Sequence, residues 1–299
     1  MPNPDAILIA GPTASGKSRA AMALAREHGG VVVNADSMQV YGELRVLSAR
    51  PSAEDEAAVP HRLYGHVPAA TRYSVGHWLA DAATVLAEIR REGRLPVFVG
   101  GTGLYFKALT EGLVTVPPIP EDIRSTLLAE TAGVDAPRLH DRLAARDPET
   151  AAGLRRSDRG RILRALEVIE ATGRSLSEWR RGAGSPPLVD PRRTKRIVLD
   201  PPRPWLHQRI AERAEHMVGA GAIAEAETLG RLGLSPELPA MKAIGVRQFL
   251  DERAGKVTLA EAIASLKTET RRYAKRQVTW FRHQMADWER QQPRTDDAS

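Results

Sequence analysis

Short apolar runs alternate with helical patterns over the N-terminal third of the chain. Ala6–Ala10 and Val31–Asn34 are apolar runs of strand length, and the alanine-rich stretch Ala20–His28 between them predicts a helix. Val97–Val99 predicts a third strand. Residues 74–93 predict a second helix, because apolar side chains recur there at helical spacing, at Leu79, Ala82, Leu86 and Ile89. Strands that alternate with helices are typical of a parallel α/β sheet.

The middle of the chain has a different pattern. Residues 117–190 open in the proline-rich "VPPIPEDIRSTL", contain no strand signal and end near the Gly/Pro-rich "GAGSPPLVDPRR". Residues 195–199 then predict one more strand, and helical patterns fill 205–288. We therefore predict an α/β core in two parts, 1–116 and 191–299, with a helical insertion at 117–190 and basic helices in the C-terminal part.

Composition narrows the class of protein. The 299 residues contain 42% hydrophobic and 27% charged side chains, which is typical of a folded globular chain. There is no cysteine, so disulfides, thiol nucleophiles and thiolate metal sites are excluded. We expect a cytoplasmic protein, since we see neither a signal peptide pattern nor an apolar run long enough to cross a membrane.

The net charge of +6 is concentrated near the C-terminus, where residues 191–299 carry 20 Lys and Arg against 14 Asp and Glu. A local positive excess favours a polyanionic partner such as nucleic acid, with a solubilising surface as the alternative.

The first apolar run leads into "GPTASGKS", which has the pattern G-x-x-x-x-G-K-S of a phosphate-binding loop. In such a loop, backbone N–H groups at a helix N-terminus surround phosphate oxygens. The lysine adds a positive charge, and the final serine commonly contributes a hydroxyl to Mg²⁺. The predicted phosphate-binding residues are Gly11, Pro12, Thr13, Ala14, Ser15, Gly16, Lys17 and Ser18. The predicted fold is therefore a P-loop NTPase-like parallel sheet, and the loop would also accept the phosphates of ATP.

An NTPase or kinase usually holds its metal with a second carboxylate at the end of another strand. "VFVGG" ends in glycine at that place, and only "RIVLD" at 196–200 has the expected form. The interpretation as a hydrolase is weakened by this pattern.

Two further loops follow predicted strands. "ADSMQVY" places Asp36 after the second strand, and "GGTGLY" places Thr102 after the third. The loops at the carboxyl ends of the strands in an open α/β sheet line the ligand crevice. Asp36 could bind a metal, orient a substrate or accept a proton from an attacking amine; a helix cap is the alternative.

The ordered set of motifs resembles one family. "GPTASGKS", "ADSMQVY", "GGTGLY", "DRGRILRALEVIEATGRSLSEW", "LPAMKAIGVRQF" and "RRYAKRQVTWFRHQ" together resemble the bacterial tRNA dimethylallyltransferases, the tRNA isopentenyltransferase family, over about residues 6–285. The resemblance implies transfer of a dimethylallyl group from dimethylallyl diphosphate to the exocyclic amine of the adenosine 3′ to the anticodon, assisted by Mg²⁺. It also implies that Asp36 is the base, that Thr13 contacts the diphosphate, and that Arg213 holds it. Without the resemblance, Arg213 would be interpreted as an exposed helix charge.

The resemblance further implies a set of residues that contact tRNA. Asp36 to Gln39 would engage a flipped-out base, and Thr102 and Arg124 would lie along its route. The full predicted set is Asp36, Ser37, Met38, Gln39, Thr102, Arg124, Gly160, Arg161, Ile162, Leu163, Arg164, Lys242, Ala243, Ile244, Gly245, Val246 and Arg247. In two places the sequence departs from the family pattern, which commonly has glutamine at Gly160 and an aromatic residue at Val246.

Two basic clusters extend this prediction. Arg155, Arg156, Arg159, Arg161 and Arg164 predict a phosphate clamp on the insertion, with a solvated face as the alternative. Along 271–284 we predict buried aromatic side chains and arginines that face the substrate. We expect a monomer without an obligate protein partner. The alternatives are a small-molecule kinase, an adenylate isopentenyltransferase and a non-enzymatic RNA-binding module.

Overall fold

The computed structural model describes residues 4–182 and 184–293. The chain divides into two compact units: an α/β unit that ends at Thr110 and resumes at Leu188, and an insertion unit, Glu111–Pro187. The sequence prediction had put the insertion at 117–190. The predicted segments 1–116 and 191–299 include residues 1–3 and 294–299, which lie outside the described residues.

The α/β unit is built on one parallel sheet, whose described strands lie in the order β3-β2-β4-β1-β5-β6. The strands are β1 (Ala6–Ala10), β2 (Val31–Asn34), β3 (His61–Arg62), β4 (Pro96–Gly100), β5 (Thr194–Leu199) and β6 (Glu289–Gln291). The fold class and the four strands predicted from the sequence are confirmed. The other two, β3 and β6, contain no apolar run and have only two and three residues, so periodicity could not find them.

Helices cover the sheet. In the α/β unit they are α1 (Lys17–Glu27), α2 (Ala53–Ala58), α3 (Val75–Arg91), α4 (Gly103–Glu111, whose last residue begins the insertion unit), α10 (Arg203–Gly219), α11 (Ala222–Arg231), α12 (Val246–Arg253) and α13 (Leu259–Gln284). In the insertion unit they are α5 (Glu121–Glu130), α6 (Ala136–Ala144), α7 (Pro148–Ala152), α8 (Arg159–Thr172) and α9 (Leu176–Arg181). None of the helices in the described ranges is both long and apolar enough to cross a bilayer.

The core of the α/β unit lies on both faces of β1 and β4, whose residues are all buried. On one face, α1 packs Ala21 and Ala25 against Ile7 and Ile9. On the other, the Trp78 ring stacks on Tyr105 with 4.3 Å between ring centroids, and its Nε1 donates to the carbonyl of Asn34 at 2.9 Å. This second contact ties α3 to the end of β2, so the packing of the core fixes where the following loop begins.

The insertion unit has a helical core of its own. Leu139 and Leu143 of α6 pack with Ile162 and Leu166 of α8, and all four are buried. Asp147 fixes the surrounding turns, because its carboxylate accepts from the N–H groups of Thr150 at 3.1 Å and Ser177 at 3.1 Å. Burial alone would raise the pKa of Asp147, but the hydrogen bonds from Thr150 and Ser177 outweigh it and hold that pKa below its usual value.

Candidate active site

The site lies where the strand order reverses. The chain passes from β1 to β2 on one side of the sheet, returns to β4 beside β1, and places β5 on the other side of β1. In open α/β sheets, ligands bind outside the carboxyl ends of the strands at such a reversal. The loops that follow β1, β2 and β4 are therefore brought to the same edge.

The phosphate loop, Gly11–Ser18, connects β1 to α1. Gly16 immediately precedes α1 with φ of 81°, and Ala14 has φ of 63°, so the loop turns twice through left-handed backbone. Lys17 is 8% exposed, and its Nζ donates to the carbonyl of Pro12 at 3.3 Å. The pKa of Lys17 is lowered to about 8, chiefly because the side chain is buried; the charge of Asp36 opposes this shift, and the charge of Arg213 adds to it.

Thr13 and Arg213, predicted to share a role, are brought together. Nη1 of Arg213 donates to Oγ1 of Thr13 at 3.2 Å across 200 residues of sequence. Burial holds the pKa of Arg213 below its ordinary value, and the charge of Asp36 opposes that shift. Two cations are thus partly desolvated near the loop, which favours the binding of an anion there.

The backbone around Asp36 is held by the side chain of Asn34, which is buried. Oδ1 of Asn34 accepts from the N–H of Asp36 at 2.8 Å, and Nδ2 donates to the carbonyls of Asp36 at 2.9 Å and Leu63 at 3.0 Å. Oδ1 of Asp36 accepts from the N–H of Met38 at 3.0 Å. No helix begins at this turn, so Asp36 is not a helix cap. Among the described residues, Oδ2 of Asp36 accepts no hydrogen bond and remains available.

The glycine-rich loop after β4 supports the Asp36 loop. A Cβ at Gly100 would lie 1.9 Å from the carbonyl oxygen of Ala35, so only glycine allows this approach. Oγ1 of Thr102 accepts from the N–H of Ser37 at 2.9 Å and donates to Oγ of Ser37 at 3.2 Å. The hydroxyl of Thr102 therefore positions the Asp36 loop both as an acceptor and as a donor. The sequence prediction had placed Thr102 along the route of the flipped-out base.

A cavity of about 270 Å³ opens between these loops and the C-terminal helices. We call it the Asp36 cavity. Its lining includes these predicted site residues: Thr13, Asp36, Ser37, Met38, Arg213, Lys242, Ala243 and Ile244. Gln39 is not part of the lining; it is 7% exposed, and its amide donates to the carbonyls of Ser48 and Ala49. Apolar Ile210, Ala214 and Met217 of α10 form another part of the wall.

Sequence reasoning missed two residues that organise the cavity. Oε1 of Gln277 accepts from the N–H of Thr13 at 2.9 Å, and its Nε2 donates to the carbonyl of Gly101 at 2.9 Å, so one buried amide joins two loops. The carboxylate of Glu225 accepts from the consecutive N–H groups of Arg45, Val46 and Leu47 at 2.7–2.8 Å. Nothing local marks either role, because every partner is distant in the sequence.

Several predicted tRNA-binding residues have side chains that cannot reach a partner. Ile162 and Val246 are fully buried, and Ile162 belongs to the core of the insertion unit. At Val246, where the family pattern commonly has an aromatic residue, the side chain faces the interior of the protein. Position 160 is open: nothing lies within 4 Å of a Cβ built on Gly160. A glutamine there would not collide with the protein.

The predicted arginines of the insertion unit are largely engaged with neighbours. Arg124 pairs with Glu167 at 3.3 Å, and Arg164 pairs with the same carboxylate at 3.3 Å. Arg156 pairs with Asp141 at 2.7 Å, while Arg159 donates to the carbonyls of Thr131 and Val134. Of the arginines that the sequence places in one cluster, Arg156, Arg159, Arg161 and Arg164 therefore have local partners.

The expectation of buried aromatic side chains along 271–284 is only partly met. Phe281 is buried, whereas Tyr273 and Trp280 are half-buried. Trp280 occupies the space beside Gly103, where a Cβ would approach its ring to 2.2 Å. Tyr273 lines the Asp36 cavity, and burial together with the charge of Asp36 raises its pKa.

The phosphate loop is compatible with a Mg²⁺ ion that takes most of its ligands from water and the phosphates of a substrate. Among the described residues, no group of three or more His, Asp or Glu side chains could hold a metal ion. Ser18 is exposed in the first turn of α1, directly after Lys17 of the loop. Mg²⁺ commonly keeps several waters and takes its other ligands from substrate phosphates, so one hydroxyl is a sufficient contribution from this side of the site.

Comparison with known proteins gives consistent relatives. A family model described as IPP transferase matches residues 39–284, and one described as isopentenyl transferase matches residues 4–66. A tRNA dimethylallyltransferase of Bradyrhizobium sp. (strain ORS 278) is 58% identical over 290 residues, covering 96% of this chain and 93% of the relative. The corresponding protein of Agrobacterium fabrum is 54% identical over 292 residues, with 97% and 98% covered.

Solved structures with the same fold cover nearly the whole chain. The tRNA isopentenylpyrophosphate transferase from Bacillus halodurans has a TM-score of 0.67 at 36% identity, covering 96% of this chain and 89% of its own. A eukaryotic dimethylallyltransferase acting on tRNA has a TM-score of 0.79 at 26% identity, covering 98% and 75%.

Proposed function

Since the chain belongs to the IPP transferase family, we propose that it transfers a dimethylallyl group from dimethylallyl diphosphate to tRNA and releases diphosphate. The acceptor is the exocyclic amine of the adenosine adjacent, on the 3′ side, to the anticodon. One observation carries the proposal: Thr13 of the phosphate loop and the carboxylate of Asp36 line the same cavity. A leaving diphosphate and an attacking amine need these two environments within one site.

The phosphate loop and its cations bind the diphosphate. Negative charge develops on the leaving oxygen as the carbon–oxygen bond breaks, and in this proposal the partly desolvated charges of Lys17 and Arg213 stabilise it. Arg213 also fixes the hydroxyl of Thr13, so the two predicted contacts act as a unit. Ser18 would hold a Mg²⁺ ion together with the diphosphate, and the bound ion would supply further charge neutralisation.

Asp36 receives the proton. The amine nitrogen forms the new carbon–nitrogen bond and loses one proton, which Oδ2 of Asp36 accepts while Oδ1 remains bonded to the N–H of Met38. Asn34 and Thr102 hold the backbone on either side, so the carboxylate keeps its orientation during the transfer. Tyr273 stays protonated at neutral pH because its pKa is raised, which makes it a hydrogen-bond donor and not a second base.

The target amine lies within the anticodon loop, so the base must leave the stack to enter the cavity. Lys242, Ala243 and Ile244 line the cavity beside Ser37 and Met38, and they are the residues that we propose contact the incoming nucleotide. In this proposal the protein works in the cytoplasm as a monomer.

The test is incubation of the protein with labelled dimethylallyl diphosphate and Mg²⁺, with either an anticodon stem-loop RNA or AMP as acceptor. We expect label only in the RNA. Transfer only to AMP would indicate an adenylate isopentenyltransferase, and phosphoryl transfer from ATP would indicate a kinase; either result would overturn the proposal.

The control for the base is Asp36→Asn, which keeps an oxygen that can accept from the N–H of Met38 while it removes the carboxylate. We expect transfer to be abolished and RNA affinity to stay within a few-fold of the wild type. An equal loss of affinity and turnover would show that Asp36 holds the RNA and is not the base.

A further inference from the structure

A second, larger cavity lies between α10 and α13. It has a volume of about 510 Å³, within the range of sites that hold small molecules. Its basic side chains are Arg203, His207, Arg271, Arg272, Lys275 and Arg282, and Asp200 is the one carboxylate among the described residues that line it. We call it the basic groove. None of these residues is part of the site described above.

Four cations of the groove, Arg203, Arg271, Lys275 and Arg282, differ from the other cations on the same two helices, whereas Arg272 of the groove pairs with Glu269. Arg209 pairs with Glu212, and Lys267 pairs with Glu215. Within the described part of the chain, Arg203, Arg271, Lys275 and Arg282 have neither an ion pair nor a side-chain hydrogen bond. Nε of Arg271 is in addition buried without a partner. A buried guanidinium donor without a partner is costly unless a ligand satisfies it.

Apolar side chains form the floor of the groove and separate it from the Asp36 cavity. Leu206 and Ala274 line the groove, Ile210 lines the Asp36 cavity, and the three pack in one cluster against Ala14 of the phosphate loop. Asp200 follows β5 and Asp36 follows β2, on opposite sides of β1. The phosphate loop therefore lies between the two cavities, and the groove is a distinct site.

We propose that the basic groove is a second anion-binding site, and that its ligand is a free organic polyphosphate: a diphosphate or triphosphate with an apolar or aromatic group attached. The cations fit the phosphates, because guanidinium groups bind phosphate oxygens in pairs. The floor of Leu206, Ala274 and Val278 fits the organic group. The groove is a poor platform for single-stranded RNA, since no Phe, Tyr or Trp is among the described residues that line it and unstacked bases bind mainly by aromatic stacking.

The test counts binding sites by calorimetry with inorganic diphosphate, dimethylallyl diphosphate and ADP. We expect two sites for the organic ligands in the wild type and one in Lys17→Ala, which weakens the phosphate loop. The double variant Arg271→Ala/Lys275→Ala should lose the groove site by at least about a hundredfold, at about tenfold for each charged contact, and keep the other. Arg231→Ala removes one positive charge elsewhere, on α11, and should change neither site.

His207 provides a readout at the groove itself. Burial lowers its pKa, and the nearby Arg271 and Arg203 lower it further, so a bound anion should raise it. In Lys17→Ala we expect each organic ligand to shift the imidazole NMR signals of His207 and to raise the pH at which they titrate. In Arg271→Ala/Lys275→Ala the signals should not move.

The outcomes separate the candidate ligands. Tighter binding of ADP than of dimethylallyl diphosphate identifies a nucleotide site, and the reverse identifies a prenyl diphosphate site; both support the inference. If the groove binds inorganic diphosphate as tightly as it binds dimethylallyl diphosphate and ADP, the assignment of an organic ligand is overturned. A single wild-type site that Lys17→Ala removes, or His207 signals that only anticodon stem-loop RNA shifts, overturns the site as proposed. The inference is independent of prenyl transfer, because each readout measures binding.

Discussion

The positive charges at the phosphate loop and those of the insertion unit are in opposite states. Lys17 is 8% exposed, and burial lowers its pKa together with that of Arg213. The side chain of Arg161 is 73% exposed and pairs with Asp158 at 3.6 Å. Lys17 and Arg213 are already partly desolvated, so they lose little hydration when an anion binds. Arg161 must lose both its hydration and its ion pair with Asp158, so its contact with a phosphate contributes less to binding.

The strongest test of this difference is Lys17→Ala. We expect the rate of dimethylallyl transfer to fall by about 10²–10³, the usual cost of losing one preorganised charge at a leaving group. RNA affinity should be unchanged, because Lys17 is buried beneath the loop. Single-turnover rates and RNA binding measured on the same preparation check both halves. A loss below about fivefold would contradict the role of Lys17 as the main cation of the loop.

A second test removes the link between loops while keeping the cations. In Gln277→Glu, one oxygen can still accept from the N–H of Thr13, but the donor to the carbonyl of Gly101 is lost. In Gln277→Leu both bonds are lost, and buried polar groups without partners cost about 1–3 kcal/mol each. We expect Gln277→Leu to lower the free energy of unfolding and the transfer rate more than Gln277→Glu does, measured by urea denaturation and single-turnover kinetics. Equal effects of the two variants would show that the hydrogen bond from the N–H of Thr13 contributes neither to stability nor to the transfer rate.

The third test uses pH. Lys17 has a pKa of about 8 in the ligand-free protein, so its charged form predominates below that pH and is lost above it. An anion binds the charged form, and the dissociation constant of inorganic diphosphate should therefore rise with pH above 8, by about tenfold for each pH unit. Lys17→Arg is the matched control, since a guanidinium stays charged over this range and removes any contribution from ionisation of the ligand. Parallel pH profiles for the two proteins would contradict the assignment.

The same contrast explains which parts of the site could be read from the sequence. The phosphate loop was predictable because its pattern is local: spacing, glycines and lysine all lie within eight residues. Asp36 could be proposed from the sequence because it lies two residues after a buried strand, in a loop of the kind that lines the ligand crevice. Gln277 and Glu225 could not be, since their roles depend on backbone groups 264 and about 180 residues away.

Charge patterns were the least reliable guide, because a sequence does not show which arginines are paired. Five arginines lie within 155–164, and the structure gives partners to Arg156, Arg159, Arg161 and Arg164. The cations of the basic groove come from two helices, α10 and α13, and are spread between residues 203 and 282. They therefore do not form a single cluster in the sequence. Pairing depends on carboxylates that neighbouring helices bring close, and only the folded chain determines those.

The smallest expected effect is at Arg161, and it tests the exposed side of the comparison. Arg161→Ala should weaken RNA binding by only a few-fold and reduce the slope of log affinity against log salt by about one unit, the signature of one lost phosphate contact. Arg159→Ala is the matched variant from the same turn of α8: its guanidinium donates to the carbonyls of Thr131 and Val134, so we expect lower stability of the insertion unit and an unchanged salt slope. The two variants remove the same charge, and they differ in whether that charge is already bonded to backbone. If both reduce the slope equally, local partners do not determine which arginines meet phosphate, and the distinction between paired and available cations fails for the insertion unit.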